Sequence, residues 1–283
     1  MFIPHIASLL GCEVSALMSA DGKKPLVKCK VTLPTSLRLG PSQKHPACAI
    51  ATIQVVTPDH GMGDDGVYRK YPHLRTLVPR GLSFALKAYD ETAGPPEVLL
   101  DDEGYPVVLR GLPKFGGLIA EEEDDANPTA EGGNALPCID LNPDELERRA
   151  VNAVVTSKEN GKAAYAAFYR IGGEMFIFGG SKNVHDLVST KVFDPHHEGD
   201  DDDGCAEKKR LDALVRDNLS WSILATIMAD ISKNQIKNND THEAVSDKRV
   251  TLCGEYCDGK HMVPLWPDEE PHVRFYAIVP NAA

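Results

Sequence analysis

The chain has 283 residues, 42% of them hydrophobic and 25% charged, and a formal net charge of −12, which is the composition of a globular protein with one large or two modest domains. No stretch approaches the roughly 18 apolar residues that a membrane helix needs, and the N-terminus lacks the basic segment of a secretory signal, so we expect no membrane association. Seven irregularly spaced cysteines argue against a disulfide scaffold and indicate a reducing compartment, the cytoplasm or the nucleus.

The first part of the chain is predicted to form short strands. Residues 25–58 and 82–110 are rich in Val, Ile, Leu and Thr and are interrupted by Pro, Gly and Asp, which is the pattern of such strands. A polar loop is expected over 119–138. Residues 142–154 are predicted to form a helix, because Asn142 suits the N-cap position and a proline and acidic residues follow in the first turn.

The second part combines strands with a long helix. Two strands are expected within 154–179, joined at a Gly-Gly hairpin signal. Residues 206–234 repeat apolar residues at helical spacing and predict the long helix. Two further strands are expected at 249–257 and 272–280. Sheet is therefore the main component, and the predicted class is α+β.

Two acidic runs, 121–125 and 200–203, hold nine of the 42 carboxylates. Both are predicted to be solvated loops, with metal binding as the alternative. The negative net charge does not exclude RNA binding, because a local basic groove can supply the favourable electrostatics. Without such a groove, RNA affinity would be weak and sensitive to salt.

A lysine ahead of the predicted hairpin is the first candidate for chemistry. Lys158 begins the tetrapeptide Lys-Glu-Asn-Gly, which is predicted to be a turn before a strand. A lysine amine attacks phosphorus only when it is neutral, so it needs desolvation or a nearby cation that lowers its pKa. Gly161 would let a phosphate approach closely. Taken alone, the tetrapeptide is more simply a solvent-exposed turn, because so short a pattern recurs by chance.

Other sequence elements occur in an order that favours covalent chemistry at Lys158 over a simple exposed turn. Arg110 follows a predicted strand 48 residues before Lys158, and Lys182 follows a strand and a glycine pair 24 residues after it. Glu255 lies in a later predicted strand, and a last apolar strand contains Ile278. Basic residues from separate strands would spread the charge that develops on a pyrophosphate leaving group.

This ordered set resembles the covalent nucleotidyltransferase superfamily, in particular the phage-type and fungal tRNA-splicing ATP-dependent RNA ligases. In that family the lysine of a K-x-D/N-G motif becomes linked to AMP. A Ser-Lys or Ser-Arg pair then contacts the ribose, a G-E strand supplies a carboxylate, and an F-x-x-F-like strand lies beneath the adenine. An R-G-x-x-K-F-F-N element precedes the lysine. The resemblance covers roughly residues 105–280.

Carried over to this chain, the resemblance makes Lys158 the adenylated nucleophile. Asn160 and Gly161 complete its motif. Ser157 would contact the nucleotide at a position where many members of the superfamily have Glu, so this chain departs from the usual adenine recognition there.

The resemblance also implies four further contacts to the nucleotide. Arg110 would contact the triphosphate, Lys182 the ribose, and Glu255 the ribose or a metal ion. Tyr276 and Ile278 are predicted to share one face of the last strand, and Ile278 takes the position that an aromatic residue usually has beneath the adenine. The Arg110 element reads K-F-G-G where the family has K-F-F-N, which is a second departure.

The resemblance implies a nucleotidyltransferase, or ATP-grasp-like ligase, fold of antiparallel sheets flanked by helices. Residues 105–283 would form the nucleotidyltransferase domain, and 1–104 a strand-rich region that belongs to it or forms a small barrel. ATP and Mg²⁺ or Mn²⁺ would be bound, and RNA with 5′-phosphate and 3′-hydroxyl ends would be sealed, with other RNA-repair or splicing subunits as candidate partners. The alternative function is a catalytically incomplete relative that binds nucleotide or RNA within a complex.

Two family motifs, E-G-x-x and K-x-K, have no match after Phe275. A K-x-K pattern occurs near the N-terminus instead, at Lys28 and Lys30, fifteen residues after Glu13. The open interpretations are a truncated chain, a degenerate homologue and a circularly permuted ligase, since chain termini often lie close together.

A zinc site is the competing interpretation of the region around Glu255. Cys253, Cys257 and His261 are spaced as C-x₃-C-x₃-H. Zinc sites usually have a tighter C-x₂-C pair and a second clear pair. Strand alternation instead predicts that Cys253, Glu255 and Cys257 share one face, which suits a nucleotide pocket.

Overall fold

The structure is a computed structural model, and it describes the residues 1–35, 46–47, 49–56, 64–90, 94–113, 161–193, 203–235, 249–260, 265 and 269–281. In these ranges ten strands form two antiparallel sheets, and five α-helices and two short 3-10 helices accompany them. The predicted α+β class is confirmed. None of the described helices is long and apolar enough to cross a membrane.

The first sheet contains the strands that precede residue 110. Its order is β1-β2-β3-β4, with β5 also pairing with β3, and all pairs are antiparallel. The strands are β1 (Val27–Thr32), β2 (Ala49–Val55), β3 (Ser83–Ala88), β4 (Glu97–Val98) and β5 (Val108–Leu109).

The second sheet has the order β10-β9-β6-β7-β8 and is also antiparallel. Its strands are β6 (Lys162–Ile171), β7 (Glu174–Ser181), β8 (His185–Ser189), β9 (Val250–Cys257) and β10 (His272–Pro280). Gly172 and Gly173 join β6 to β7 with φ of 62° and 77°. A two-residue turn with both φ values positive matches the twist of a hairpin and favours glycine, so the Gly-Gly hairpin prediction is confirmed.

The α-helices are α1 (Ile3–Leu10), α2 (Asp64–Lys70), α3 (Leu74–Leu77), α4 (Asp203–Asp217) and α5 (Leu219–Gln235), and the 3-10 helices are Val14–Leu17 and Thr190–Phe193. The helix predicted over 206–234 is therefore two helices. Asn218 separates them, and its Oδ1 accepts a hydrogen bond from the Ser220 backbone N–H at 3.0 Å. This is an N-cap, which the apolar periodicity across the break conceals.

Three hydrophobic clusters hold the layers together. One lies between the first sheet and the helices α1, α2 and α3. Another lies between the second sheet and the helices α4 and α5, and it includes the fully buried Trp221. The third lies between the two sheets and draws residues from both, so the described strands β1–β5 and β6–β10 share one core.

Strand alternation decides which side chains face the space between the sheets. In β2, Ala49, Ala51 and Ile53 pack toward the helices, whereas Ile50 packs toward the second sheet. The same alternation turns Lys28 of β1 toward the second sheet, because it lies opposite Gln54 in the register. Strand alternation therefore assigns each of these strand residues to the inner or the outer face of its sheet.

These inner faces change from apolar to polar along the strands. On β2 the sequence runs from Ile50 through Thr52 to Gln54, and on β8 the polar His185 precedes the apolar Leu187. The polar ends of the two sheets meet, because Gln54 Nε2 donates a hydrogen bond at 3.1 Å to Oδ1 of Asn183, in the turn between β7 and β8.

Three predictions cannot be compared with the structure. The helix predicted over 142–154, the polar loop over 119–138 and the acidic run 121–125 lie outside the described residues. In the acidic run 200–203, only position 203 is described, as the first residue of α4.

Candidate functional site

A pocket with a volume of about 230 Å³ opens at the polar end of the space between the sheets. Its wall combines the ends of β1 and β2, the helix α2, the segment before β3, and the turn after β7. We call it the basic pocket and define it by six of its lining residues: Lys28, Gln54, Asp64, Arg80, Lys182 and Asn183.

Positive charge dominates this pocket. Its defining residues include three cations, Lys28, Arg80 and Lys182, and one carboxylate, Asp64, which gives a formal charge of +3 − 1 = +2. Lys182 Nζ lies 2.9 Å from Asp64 Oδ2, and Arg80 Nη2 lies 2.8 Å from the same oxygen. Lys28 forms no ion pair with any residue in the described part of the chain. The pocket is therefore suited to an anionic ligand.

The charge state of Asp64 follows from these contacts. Partial burial acts to raise the pKa of its carboxyl group, but the hydrogen bonds and charges of Lys182 and Arg80 outweigh burial and leave the pKa below its ordinary value. Asp64 is therefore ionised at neutral pH and neutralises part of the positive charge.

A group of tyrosines lies next to the basic pocket. We define the tyrosine cluster as Tyr165, Cys253, Glu255 and Tyr276. Partial burial is the first cause that raises the pKa of Tyr276, and the charges of Glu255 and Cys253 add to the rise while Arg80 opposes it. Because Tyr276 is 52% exposed, solvent screens these effects. The same neighbours act on Tyr165, whose pKa is also raised, chiefly by burial. The backbone places Tyr165 beside the basic pocket, because an added Cβ at Gly81, which lines the pocket, would lie 2.8 Å from Tyr165 Cε2.

Glu255 and the two cysteines share one face of β9, as predicted. Cys253 packs in the cluster between the sheets, whereas Leu252 and Tyr256 pack toward the helices, so the alternation assigns Glu255 to the inner face. Glu255 lies opposite Ala163 of β6, which also packs toward the inner face. Glu255 therefore lies on the inner face of β9, the face on which Cys253 packs.

Arg110 lies near the Arg80 backbone. Its Nη2 donates a hydrogen bond to the Thr76 carbonyl oxygen at 2.6 Å, and its backbone N–H donates to Thr251 Oγ1 at 3.0 Å. The next residue, Gly111, passes so close to Arg80 that an added Cβ would lie 2.0 Å from the Arg80 carbonyl oxygen. Only glycine fits this crossing, and it holds Arg110 next to Arg80.

Gly161 lies at the start of β6, against the end of β9. A Cβ at this position would lie 2.5 Å from the Tyr256 carbonyl oxygen. The adjacent Lys162 forms an ion pair with Asp258, with Nζ 2.8 Å from Oδ2. Three other predicted site residues, Ser157, Lys158 and Asn160, lie outside the described residues.

Ile278 is separated from the other predicted site residues. It is 67% exposed and lies opposite Leu252, which packs toward the helices. The register of β10 shifts between Phe275 and Ala277, and this bulge places Tyr276 near Glu255 instead. The expectation that Tyr276 and Ile278 share a face is therefore wrong, because strict alternation does not hold across a bulge.

Metal ligands are few in the described part of the chain, where no group of three or more His, Cys, Asp or Glu side chains is arranged to hold an ion. Cys253 is fully buried, and His261, the third residue of the zinc pattern, lies outside the described residues. Glu255 is the predicted metal ligand that is described, and a single carboxylate together with substrate phosphates is a common arrangement for Mg²⁺.

Sequence reasoning missed Asp64 and Arg80, although both define the basic pocket. Neither belongs to a motif, and Asp64 is separated from Lys182 by 118 positions. It identified Lys28 only as part of the early K-x-K pattern. The strand period in 27–32, with Lys28 and Lys30 alternating with apolar residues, was a signal that both lysines share one face.

No protein-family model matches the chain, and no curated protein shows a significant similarity to it.

Proposed function

We propose that the chain is the adenylyltransferase part of an ATP-dependent RNA ligase, with Lys158 as the residue that becomes linked to AMP. The observation that carries the proposal is the basic pocket between two antiparallel sheets, which contains Lys182. Glu255 lies on the inner face of β9, and Arg110 precedes the glycine that crosses the Arg80 backbone. These three residues, together with Gly161 at the edge of β6, belong to four of the motifs on which the resemblance rests.

The size and charge of the basic pocket favour phosphate groups as its ligand. Its volume of about 230 Å³ is below the roughly 300–1,000 Å³ of pockets that hold a whole drug-sized molecule. We therefore assign the phosphates of ATP to the basic pocket and its nucleoside to the neighbouring tyrosine cluster. Lys28, Arg80 and Lys182 would stabilise the charge that develops on the departing pyrophosphate. This assignment moves Lys182 from the ribose, which the resemblance implies as its contact, to the phosphates, because it shares Asp64 with Arg80 in the basic pocket.

The proposed reaction has three balanced steps. The neutral amine of Lys158 attacks the α-phosphorus of ATP, a nitrogen–phosphorus bond forms, the bond to pyrophosphate breaks, and the nitrogen loses one proton to solvent. The 5′-phosphate of RNA then displaces the lysine, whose nitrogen regains a proton, and takes the AMP. Finally the RNA 3′-hydroxyl attacks the activated 5′-phosphorus, the bond to AMP breaks as the phosphodiester forms, and the proton of the hydroxyl passes to solvent. Positively charged neighbours would keep the amine of Lys158 unprotonated for the first step.

A divalent cation, Mg²⁺ or Mn²⁺, fits this site through Glu255. A hard carboxylate oxygen on the inner face of β9 is a suitable ligand, and the phosphates of the substrate would complete the coordination. The ion would neutralise phosphate charge during the transfer. The residues of the chain would bind and orient the nucleotide.

Transfer of radiolabel from the α-phosphorus of ATP to the protein tests the proposal. We expect labelling of the wild-type chain with Mg²⁺ or Mn²⁺ and a complete loss of label in Lys158→Ala. Lys87→Ala is the matched control, because Lys87 is exposed and pairs with Glu97 outside the basic pocket. Absence of label from the wild-type chain with either metal would refute the ligase activity.

A second measurement separates catalysis from simple binding. Titration calorimetry reports ATP binding, and an enzymatic assay reports pyrophosphate release. Binding together with release supports the ligase. Binding without release would instead support a catalytically incomplete relative that binds nucleotide or RNA within a complex.

A further inference from the structure

We propose that Asp64 is an internal counter-ion that the phosphates of the ligand displace, so that the basic pocket favours polyphosphates over singly charged anions. The inference deepens the proposed function and rests on it for the identity of the natural ligand. The competition itself rests on the contacts of Asp64 alone.

The first step is that Asp64 is already paired with the two cations that a bound phosphate would contact. A single oxygen, Oδ2, accepts hydrogen bonds from Lys182 Nζ at 2.9 Å and from Arg80 Nε at 2.9 Å. Two cations converging on one carboxylate oxygen form the arrangement that would otherwise bind a phosphate oxygen. The carboxylate therefore stands where an anionic ligand would make its contacts.

The second step is that these contacts are open to exchange. The side chains of Asp64, Arg80 and Lys182 are 26%, 29% and 42% exposed. Ion pairs that remain partly solvated contribute little net free energy and reorganise readily. A ligand entering the pocket can therefore take over the cations without disrupting the buried core.

The third step concerns charge. With Asp64 in place the formal charge of the pocket is +2, and without it the charge is +3. A singly charged anion would only replace the single negative charge of Asp64 by another, so the electrostatic free energy would change little. A diphosphate or triphosphate carries several negative charges and can contact Lys28 as well. Its electrostatic attraction to the three cations therefore exceeds the attraction that is lost when Asp64 is displaced. The pocket therefore selects for the number of negative charges.

Pyrophosphate binding to the Asp64→Asn variant tests the proposal. Asparagine preserves the shape of the side chain and removes its charge. In calorimetry with inorganic pyrophosphate and EDTA, we expect the variant to bind about tenfold more tightly than the wild type, because one like charge near the bound anion has been removed. Glu97→Gln, which breaks an exposed ion pair with Lys87, is the control and leaves the affinity unchanged.

Thermal unfolding provides a second readout that requires no catalysis. Without anion, Asp64→Asn leaves Lys182 and Arg80 side by side without their shared carboxylate, so its Tm should fall below that of the wild type. Pyrophosphate should raise the Tm of the variant more than that of the wild type. Asp64→Ser is the second variant, used if the asparagine variant folds poorly, and the same two changes are expected of it.

Three results would overturn the proposal: equal or weaker binding of pyrophosphate by the variants, no binding by any form of the chain, or a loss of affinity in the variants that appears only with Mg²⁺. The last result would identify Asp64 as a metal ligand. These outcomes are independent of ATP labelling at Lys158. If the variant binds pyrophosphate more tightly but the wild type forms no lysyl-AMP, the counter-ion role of Asp64 stands and the ligase activity is refuted. If lysyl-AMP forms but the variant binds pyrophosphate no more tightly, only the counter-ion role is refuted.

Discussion

The two ends of the space between the sheets are built on the same strands but serve different purposes. At one end Ile50 and Phe178 are fully buried in the shared core. At the other end the basic pocket is lined by Gln54, four residues further along β2, and by Lys182, the first residue after β7. The pleat is the same at both ends, so the difference depends only on which residues occupy the inward-facing positions. One sheet pair thus combines a stabilising core with the basic pocket.

The boundary between the two ends is a small polar network. Ser83 Oγ donates a hydrogen bond to Thr52 Oγ1 at 2.9 Å and is also hydrogen-bonded to His185 Nδ1 at 2.8 Å. All three side chains are buried. Buried polar groups are tolerated when they are hydrogen-bonded to one another, and this network links the two sheets where the core ends and the pocket begins.

The largest effect is expected at the apolar end. Phe178→Ala should lower the free energy of unfolding by about 3–5 kcal/mol, because a fully buried ring is removed and a cavity remains. Urea denaturation measures the change. Leu33→Ala, at a side chain that is 74% exposed, is the control and should change stability by less than about 0.5 kcal/mol. Similar losses in both variants would contradict the division into core and pocket.

A pH-dependent effect is expected at the boundary. Burial lowers the pKa of His185 to about 3. The folded protein then keeps His185 neutral, whereas the unfolded chain protonates it below its ordinary pKa of about 6.5. The stabilising contribution is therefore complete above about pH 6.5 and is lost at about 1.4 kcal/mol per pH unit as the pH falls toward the folded-state pKa.

Urea denaturation of the wild type and His185→Gln between pH 7 and pH 5 measures this contribution. The variant should lose less stability than the wild type over this range. Asp186, whose pKa is raised chiefly by burial, titrates in both proteins, so the difference between them isolates His185. Parallel pH profiles would show that His185 is not the buried titrating group.

The smallest effect on stability is expected at the polar end. Lys182→Met should change the free energy of unfolding by less than about 1 kcal/mol, because it removes one partly exposed ion pair. Its affinity for pyrophosphate should nevertheless fall by about tenfold, since a charge-assisted contact is lost. Calorimetry and urea denaturation on the same variant measure both quantities. A large loss of stability with unchanged affinity would show that Lys182 belongs to the core.

Local patterns were sufficient for most of the described strands. The glycine pair at 172–173 needed only the turn geometry of a hairpin, and the strands at 249–257 and 272–280 agree with β9 and β10. Two local predictions were wrong. Asn218 divides the predicted long helix, and the bulge after Phe275 puts Ile278 on the face of the sheet opposite to that of Glu255. Both depend on single backbone contacts that hydrophobic periodicity does not detect.

The candidate site was predictable only in part. Motif order selected Arg110, Lys182 and Glu255. The structure places Lys182 in the basic pocket, Arg110 beside the crossing of Gly111 with the Arg80 backbone, and Glu255 on the inner face of β9. The sequence identified Lys28 only within a K-x-K pattern, whereas the structure places it opposite Gln54 and in the same pocket as Lys182. The contacts of Asp64 could not be predicted, since they join distant parts of the chain and no short pattern surrounds them.

The amino-acid sequence by itself determined the α+β class, the alternation that gives each strand an inner and an outer face, and the hairpin at Gly172. These features depend on interactions between near neighbours along the chain. Only the tertiary structure decided that Lys28, Arg80 and Lys182 line one pocket and that two of these cations share Asp64. Such a cluster depends on how two sheets pack, which is a long-range property that no local pattern encodes.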